Sequence, residues 1–504
     1  MACKEQVVTT LPLYAVIDLG SNSFHMLITR LVANSVQTVD KVKRKVRLAS
    51  GLDENNRLDE ASIARGLECL SFFAERLQDI PDSNIKIVAT ATLRIATNAN
   101  IFLTQAEKAL GKKITLLSGQ EEAEQIYLGV AHTSCCAKKR LVVDIGGASS
   151  ELIVGEGFTT KKTMSVNIGC VSYNQHYFAD GLLTDQNFNT AINAAKVILA
   201  PLISIYKAIG WESVLGGSGT MQALAEILNI QHKPAIITLT FLRQIQAELV
   251  ACKTIDNIKI TGLQNERTPV FASGLSILIA IFECFDIQQL QLSSGALREG
   301  LLYEMLPQIQ AINIQQQTIY SLSIRFHVDQ QHAQRVIKQA EFLFQHFQAS
   351  WHLTENNRTL LTTSCALHEI GLLLEYKRNA QHAAYIMKNT DLPGFEQADK
   401  QLLTALIGNY KQEITTELLQ HQSAVNYQQA CQLLAILRIA VILCHRRRDD
   451  VLPSYQPYIK QTIDNKEAIH LCLPQQWLTA HPLISDELQQ EKRYLQKIGF
   501  SLSI

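Results

Sequence analysis

The sequence predicts an α/β protein that contains a duplicated unit and continues into a helical region. Residues 141–154 begin with an apolar run that ends at Asp144. A turn of small residues follows, and then a second apolar run. The same order occurs over residues 14–28, with Asp18 before the turn. Short apolar runs bounded by glycine are typical of strands, so each stretch predicts two strands joined by a tight bend. Two copies of this pattern indicate a duplicated unit.

Composition excludes several classes of protein. With 504 residues the chain is long enough for two or three domains. Lys+Arg and Asp+Glu are equal at 46 each, so we expect no general attraction to nucleic acid, and any affinity for phosphate must be local. The eleven cysteines include no CxxC pair, which favours reduced thiols and a cytoplasmic location. We find no signal-peptide segment and no apolar run of membrane-spanning length, and therefore expect no membrane partner.

Both bends carry groups that suit phosphate and metal binding. A carboxylate at a strand end can hold a hydrated divalent cation, and the small residues after it leave backbone N–H groups open to an anion. P-loops and dinucleotide-binding loops run from a strand into a helix. Both bends here run into a second strand, so neither of those folds fits. The alternative is that each Asp-x-Gly is only a hairpin turn.

Two charged side chains follow predicted strands in the first half. Residues 85–94 are typical of a buried strand whose end delivers Arg94, and this side chain would either clamp a phosphate or form a surface salt bridge. Glu122 opens a predicted helix after Ser118. Capping and the helix dipole explain acids at this position, but a carboxylate there could also direct a water molecule at phosphorus.

Further polar features extend the candidate pocket. Residues 214–220 and 290–300 each predict a short strand, a glycine turn and the start of a helix. The N–H groups at such a helix start could bind an anion. The alternative is that the turn only allows tight packing. The alternating basic residues from Lys41 to Arg47 share one face of a predicted strand. That face would line a cleft or would protect an edge strand.

The chain beyond Leu306 has a different pattern. Residues 307–317 are rich in glutamine and suggest a linker, and helices are predicted over residues 333–347, 359–374 and 428–444. His368-Glu369 and His382 suggest a metal site. We favour a helical scaffold without metal, because helical phosphohydrolases use His-Asp rather than His-Glu.

These motifs resemble the Ppx/GppA family of exopolyphosphatases and guanosine pentaphosphate phosphohydrolases. The residues that carry the resemblance are 17–25, 89–94, 118–123, 144–151, 217–220, 295–300 and 389–395. The resemblance implies duplicated actin-like, sugar-kinase-like (ribonuclease H-like) domains over residues 1–132 and 133–306. It also implies an all-α, HD-like C-terminal domain over residues 307–504.

The resemblance further implies roles for particular residues. Glu122 corresponds to the family's water-activating glutamate, and Asp144 and Glu151 correspond to acids that bind Mg²⁺. The implied phosphate-binding residues are Ser21, Asn22, Ser23, Arg94, Gly146, Gly147, Ala148, Ser149, Gly217, Ser218, Gly219 and Thr220. Ala148 stands where many exopolyphosphatases have a third glycine, and Gln120 stands where many members have an acid. Ala148 and residues 46–52 resemble the pentaphosphate branch.

The implied activity is hydrolysis of the terminal phosphoanhydride of pppGpp to ppGpp and phosphate, in alarmone metabolism. Inorganic polyphosphate is a second expected substrate, and a homodimer is the expected assembly. Three alternatives remain open at this point: an enzyme that acts mainly as an exopolyphosphatase, a carbohydrate kinase, and an alarmone sensor without catalytic activity.

Overall fold

The computed structural model describes residues 11–134, 139–231, 233–306, 313–449, 451–461 and 467–504. The chain divides into two compact units, residues 1–314 and 315–504. Residues 307–312 of the suggested linker lie outside the described residues. The cysteines that can be described are free thiols.

The first sheet of the first unit has the strand order β3-β2-β1-β4-β5. Its strands are β1 (Leu13–Leu19), β2 (Ser23–Val32), β3 (Ser35–Lys45), β4 (Ile85–Ala89) and β5 (Thr115–Leu116). β1 and β2 form the first predicted hairpin, with Leu19 opposite Phe24. β4 runs parallel to β1, and β5 runs parallel to β4.

The second sheet repeats this arrangement. Its order is β8-β7-β6-β9-β11-β10, and its strands are β6 (Lys139–Ile145), β7 (Ser150–Glu156), β8 (Thr159–Val166), β9 (Ser213–Gly216), β10 (Ile236–Ile237) and β11 (Leu290–Leu292). Each sheet begins with a three-stranded antiparallel meander and adds two strands parallel to its first strand. The predicted duplication is therefore confirmed. Asp18 and Asp144 occupy the same position, one residue before the end of the first strand.

Helices surround and separate the two sheets. They are α1 (Glu60–Leu77), α2 (Ala91–Ile95), α3 (Ala99–Leu110), α4 (Gly119–Thr133), α5 (Cys170–Tyr177), α6 (Asp185–Ile209), α7 (Gly219–Ile230), α8 (Leu239–Cys252), α9 (Thr268–Phe285) and α10 (Leu297–Glu304). Apolar residues of α4 and α10 share one core cluster with Val16 of β1 and Val142 of β6. A Cβ on Gly300 of α10 would lie 1.8 Å from the carbonyl oxygen of Gln125 in α4. This close contact needs glycine, and it fixes the position of α4 between the sheets.

The predicted strand over residues 85–94 is correct only in its first half. β4 ends at Ala89, and α2 begins at Ala91. The backbone N–H groups of Leu93 and Arg94 donate to the carbonyl oxygen of Thr90. Alanine, leucine and arginine are strong helix formers, so Arg94 is presented by a helical turn and not by a strand end.

The basic face also ends earlier than predicted. Among the described strands, β3 pairs with β2 alone, so it is an edge strand of its sheet, which agrees with the edge-strand interpretation. It ends at Lys45, and Arg47 lies beyond it with φ +53°. The prediction that Arg47 continues the strand face is therefore wrong, since the left-handed conformation turns the chain away.

The second unit is mainly helical. Its helices are α11 (Ile314–Arg325), α12 (Gln330–Trp351), α13 (Glu355–Leu367), α14 (Asn379–Asn389), α15 (Gln397–Gly408), α16 (Thr416–Gln420), α17 (Tyr427–Leu443), α18 (Gln475–Ala480) and α19 (Pro482–Gln496). A sheet of β12 (Pro457–Gln461), β13 (Glu467–Leu471) and β14 (Phe500–Ser503) was not predicted, because strands this short show little alternation. The predicted helix over residues 359–374 ends at Leu367. A buried ion pair joins Arg438 to Glu491 at 2.6 Å.

Within the described part of the chain, two helices, α6 and α9, are long and apolar enough to cross a membrane by length and composition. The expectation that no such run exists is therefore wrong on those criteria. In α9, 72% of the most apolar window is buried inside the fold, which is typical of a core helix. In α6 the corresponding share is 28%. Core helices of soluble proteins pass the same criteria, so these two helices are weak evidence for a membrane span.

Candidate active site

The bends of the two hairpins meet. A Cβ built on Gly147 would lie 2.7 Å from the Cβ of Ser21, so this close approach requires glycine in the second bend. The acids that precede the bends come together as a result. Asp18 is near enough to Asp144 to raise the pKa of its carboxyl group.

Asp18 and Asp144 form the centre of an acidic cluster. Burial raises the pKa of Asp18 to about 7, against the opposing effect of Arg298. Burial, followed by the charges of Glu122 and Asp18, raises the pKa of Asp144 to about 7. The Oδ1 atom of Asp18 is buried and has no hydrogen-bond partner among the described residues. Buried carboxylates that repel one another and lack hydrogen-bond partners are stabilised in their ionised form by a bound divalent cation.

Glu151 lies opposite Asp144 in the second hairpin. Its Oε1 atom accepts hydrogen bonds from the hydroxyl groups of Ser149 at 2.7 Å and Ser165 at 2.8 Å. Burial, and then the charges of Glu122 and Asp144, raise the pKa of Glu151 well above its usual range. The hydroxyl of Ser149, expected to bind phosphate, is therefore engaged in orienting this carboxylate.

Two adjacent glutamates at the start of α4 have different environments. The side chain of Ser118 accepts the N–H of Glu121, and the Glu121 carboxylate accepts the N–H of Ser118 at 2.7 Å. Glu121 is thus an exposed capping residue, as the capping interpretation predicts. Glu122 is 7% exposed and raises the pKa values of Asp18 and Asp144, so it faces the acidic cluster.

Arg94 pairs with Glu122. Its Nη1 atom donates to Glu122 Oε2 at 2.5 Å and to the carbonyl oxygen of Leu117 at 3.0 Å. The two charged side chains are 19% and 9% exposed, so this is a largely buried pair and not the surface salt bridge of the alternative interpretation. Burial raises the pKa of Glu122, and the Arg94 charge opposes that rise. No other described residue accepts from the Nε and Nη2 atoms of Arg94.

The backbone of both bends is held from outside the cleft. The carbonyl oxygens of Ser21 and Asn22 accept N–H groups of residues 47 and 49. In the second bend, the carbonyl oxygens of Gly146 and Gly147 accept N–H groups from the start of α5. Ser23, also expected to bind phosphate, is buried at the start of β2. The N–H groups of Gly147 and Ala148 donate to no described residue.

The third glycine turn lies beside the second bend, but its hydroxyl groups are used in packing. The N–H of Gly217 donates to the carbonyl oxygen of Val143 at 3.3 Å. Ser218 Oγ donates to the sulfur of Met221, and Thr220 lies against Gly274, where a Cβ would meet Thr220 Oγ1 at 2.3 Å. The third glycine turn therefore contacts the strand that carries Asp144 through a backbone hydrogen bond, not through its side-chain hydroxyl groups.

A basic group beside the acids was missed by the sequence analysis. Arg298 Nη1 lies 3.2 Å from His25 Nδ1, and burial together with Arg298 lowers the pKa of His25 strongly. Burial and the charge of Arg267 lower the pKa of Lys43. A Cβ on Gly219 would meet the guanidinium of Arg267 at 2.0 Å, so the end of this side chain lies directly against the third glycine turn. Arg298 lies in the first turn of α10, just after the glycine turn that follows β11. Ligands gather where strands end, so this position could have identified Arg298, whereas Arg267 lies in an irregular stretch with no such signal.

In the second unit, the suggested metal residues separate. His382 Nε2 lies 3.2 Å from Glu375 Oε2. His368 and Glu369 form a cluster with His332, which the sequence analysis did not identify.

Comparison with known families identifies the chain. The model of the Ppx/GppA phosphatase family matches residues 27–309, more than half of the sequence, and the model of domain III of that family matches residues 314–492. The chain belongs to the Ppx/GppA phosphatase family. As a Ppx/GppA phosphatase it is a hydrolase, and the family resemblance drawn from the motifs is confirmed.

Relatives of known name match almost the whole Ppx/GppA chain. The guanosine-5'-triphosphate,3'-diphosphate pyrophosphatase of Pseudoalteromonas translucida is 47% identical over 97% of this chain and 98% of its own length. The protein of the same name from Photobacterium profundum is 47% identical over 97% of each chain.

Solved structures of the family share the fold of the first unit. An exopolyphosphatase from Cytophaga hutchinsonii superposes with a TM-score of 0.54 and 25% identity over 59% of this chain and 98% of its own. The Aquifex aeolicus member of the Ppx/GppA family superposes with a TM-score of 0.51 and 22% identity over 59% of this chain and 99% of its own. These structures, the match to domain III of the family over residues 314–492 and the helices of the second unit together confirm the predicted duplicated α/β fold with a helical C-terminal region.

Proposed function

We propose that this protein hydrolyses the terminal phosphoanhydride of pppGpp, giving ppGpp and phosphate, and also releases phosphate from the ends of polyphosphate. The observation that carries the proposal is the buried Glu122 facing the paired acids Asp18 and Asp144. The relatives at 47% identity over nearly the full length, named for the pentaphosphate, support this choice of substrate. The Cytophaga hutchinsonii exopolyphosphatase favours polyphosphate as the second candidate.

Glu122 is proposed as the general base. Its carboxylate would take a proton from a water molecule whose oxygen forms the new bond to the terminal phosphorus, while the bond from phosphorus to the bridging oxygen breaks. A base works best with a pKa near the working pH, and burial shifts the pKa of Glu122 upward in that direction. Arg94 fixes the carboxylate through its hydrogen bond to Oε2.

Magnesium is the proposed cofactor, and the donor set fits it. Mg²⁺ prefers hard oxygen ligands, and the cluster offers carboxylates whose pKa values are raised by burial and by each other. Asp144 and Glu151 are proposed to hold the ion together with Asp18, whose buried Oδ1 atom lacks a partner among the described residues. When bound, the ion would supply positive charge to the phosphate oxygens.

Backbone and basic groups are proposed to hold the phosphate chain. The N–H groups of Gly147 and Ala148 donate to no described residue and therefore suit an anion. Arg298 lowers the pKa values of Asp18 and Asp144. Arg267 and Lys43 add positive charge around His25, which lies opposite Asp18 in the first hairpin. Such charge stabilises the negative charge spread over the transferred phosphoryl group.

We also propose a cytoplasmic homodimer that binds neither nucleic acid nor membrane. The free state of the described cysteines supports a reducing compartment. The equal numbers of acidic and basic residues argue against a general affinity for polyanions. The homodimer is proposed from the family resemblance.

The proposal is tested by measuring phosphate release from pppGpp and from polyphosphate with the purified full-length protein and Mg²⁺. We expect turnover of both, with the larger kcat/KM for pppGpp. A larger kcat/KM for polyphosphate would make the protein primarily an exopolyphosphatase. Binding of pppGpp without turnover after long incubation would indicate a sensor, and sugar-dependent formation of ADP from ATP would indicate a kinase; either result would overturn the proposal.

A further inference from the structure

Three potential metal ligands meet inside the helical unit. His332 lies in the first turn of α12, and His368 and Glu369 follow the end of α13. One ligand atom from each residue lies within 4.8 Å of the others, and all three residues are buried. His332 is 3% exposed, His368 1% and Glu369 8%.

The hydrogen bonding of His368 leaves one nitrogen free for a metal. Its Nδ1 atom lies 2.7 Å from the carbonyl oxygen of Cys365. A carbonyl oxygen only accepts, so Nδ1 carries the proton and Nε2 holds a lone pair. That Nε2 atom is buried and has no hydrogen-bond partner among the described residues. An imidazole oriented by a backbone carbonyl through its other nitrogen is the usual arrangement of a metal-binding histidine.

His332 provides a second buried nitrogen of this kind. Its backbone N–H donates to the N-capping side chain of Asp329 at 3.0 Å, which fixes the first turn of α12. Its Nδ1 atom is buried and also lacks a partner in the described part of the chain. Two buried imidazole nitrogens without partners, directed into one cluster, are costly unless something binds them.

Arg447 is the cation now nearest the cluster. It donates to Glu369 Oε1 and, at 3.2 Å, to Asp329 Oδ2. Its side chain is 42% exposed, whereas that of Glu369 is 10% exposed. The guanidinium therefore reaches the buried carboxylate from the surface.

We propose that His332, His368 and Glu369 form a site for a transition-metal ion such as Zn²⁺. Two imidazoles and one carboxylate are a known zinc-binding set, which leaves a fourth position for water or another ligand. Tetrahedral zinc bonds of about 2.1 Å bring ligand atoms to about 3.4 Å from one another. The three ligand atoms, which lie within 4.8 Å of one another, must adopt that spacing to bind zinc, and Arg447 competes for the carboxylate.

Ligand chemistry separates this site from the acidic cleft. Imidazole ligands favour Zn²⁺ and its neighbours in the transition series, whereas sites built only of carboxylates suit Mg²⁺. In excess Mg²⁺, the full-length protein should therefore bind one Zn²⁺ per chain, measured by equilibrium dialysis with elemental analysis. Co²⁺ provides a second readout, since its visible absorption reports the number and kind of ligands.

Variants locate the ion. Glu369→Gln keeps the size of the side chain and should lower Zn²⁺ affinity at least ~100-fold, the upper end of the loss caused by removing an outer partner. His368→Gln should do the same and abolish the Co²⁺ spectrum. Arg447→Gln removes the competing cation and should tighten binding. His382→Gln is the matched control, because His382 contacts Glu375 outside the cluster, and this variant should bind Zn²⁺ as the unaltered protein does.

Two results would overturn the proposal. One is a folded, unaltered protein that takes up no Zn²⁺ under these conditions. The other is equal uptake by the unaltered protein and Glu369→Gln, which would place the ion elsewhere. Circular dichroism of each variant shows whether it is folded, and the isosteric Glu369→Gln keeps the test valid if His368→Gln unfolds.

Discussion

The acidic cluster should make the protein less stable than it would be without one of its charges. Burial raises the pKa of Asp144 from 3.8 to about 7. At 1.36 kcal/mol per pH unit, the ionised side chain costs the folded state at most about 4 kcal/mol above pH 7. Solvent penetration and local relaxation reduce this figure, so we expect Asp144→Asn to stabilise the metal-free protein by about 1–3 kcal/mol at pH 8.

The pH dependence has a definite sign. Because the folded-state pKa of Asp144 exceeds its unfolded value, the folded protein holds the proton more tightly between about pH 4 and 7. The contribution of protonated Asp144 to the free energy of unfolding is fully present below about pH 4 and is lost as the pH rises to about 7. The advantage of Asp144→Asn should therefore grow over this range and level off above pH 7.

The assay is urea unfolding of the full-length protein in EDTA at pH 5 and pH 8. Trp351 and Trp477 lie in the second unit, so replacing both with phenylalanine leaves Trp211 to report on the first unit. Asp79→Asn, at an exposed position, is the matched control and should change little. A variant Asp144→Asn that is less stable than its parent at pH 8, or equally stabilised at both pH values, would refute the electrostatic reasoning.

Three other changes follow from the geometry of the site. Gly147→Ala places a Cβ 2.7 Å from that of Ser21 and should push the two bends apart. Because such displacements disturb near-attack geometry, kcat/KM in a phosphate-release assay should fall at least ~10-fold. Unchanged activity would show that the bends need not touch. Arg298→Gln removes a charge that lowers the pKa values of Asp18 and Asp144. The acidic limb of the pH profile of kcat/KM should therefore move to higher pH. An unmoved limb would contradict the proposed influence of Arg298 on these acids. Chelation of Mg²⁺ should abolish turnover reversibly, and full activity in EDTA would remove the metal from the account.

The duplicated scaffold was predictable because each copy carries its own local signal. A strand, an acid, small residues and a second strand recur around Asp18 and Asp144, and hydrophobic pattern with turn chemistry specifies such a hairpin locally. Glu122 was also accessible from the sequence, since a serine cap fixes where α4 begins. Its burial, in contrast to the exposed Glu121, depends on which face of α4 meets the sheets.

The contacts that the sequence could not predict join distant segments. Ser165 reaches Glu151 only because of the register of β8 against β7, which shifts at Val154 and Gly155. The contact between Arg298 and His25 spans 273 residues. Such pairs follow from the packing of the two sheets, which hydrophobic periodicity along one element does not specify.

The His332 cluster was missed for the same reason. His368-Glu369 is visible in the sequence, but His332 is brought to it by the packing of α12 against α13. The choice of His382 as a third member was based on nearness in sequence, whereas that side chain pairs with Glu375.

The most direct test of the central claim compares two neighbouring glutamates. Glu122→Gln should lower kcat for phosphate release from pppGpp by about 10²–10⁴-fold, the usual contribution of a general base, with a substrate Kd that changes only a few-fold. Glu121→Gln alters the exposed capping residue beside it and should leave kcat within about twofold, since a lost cap affects stability. Equal activity of the two variants, or undiminished phosphate release by Glu122→Gln, would contradict the assignment of Glu122 as the base.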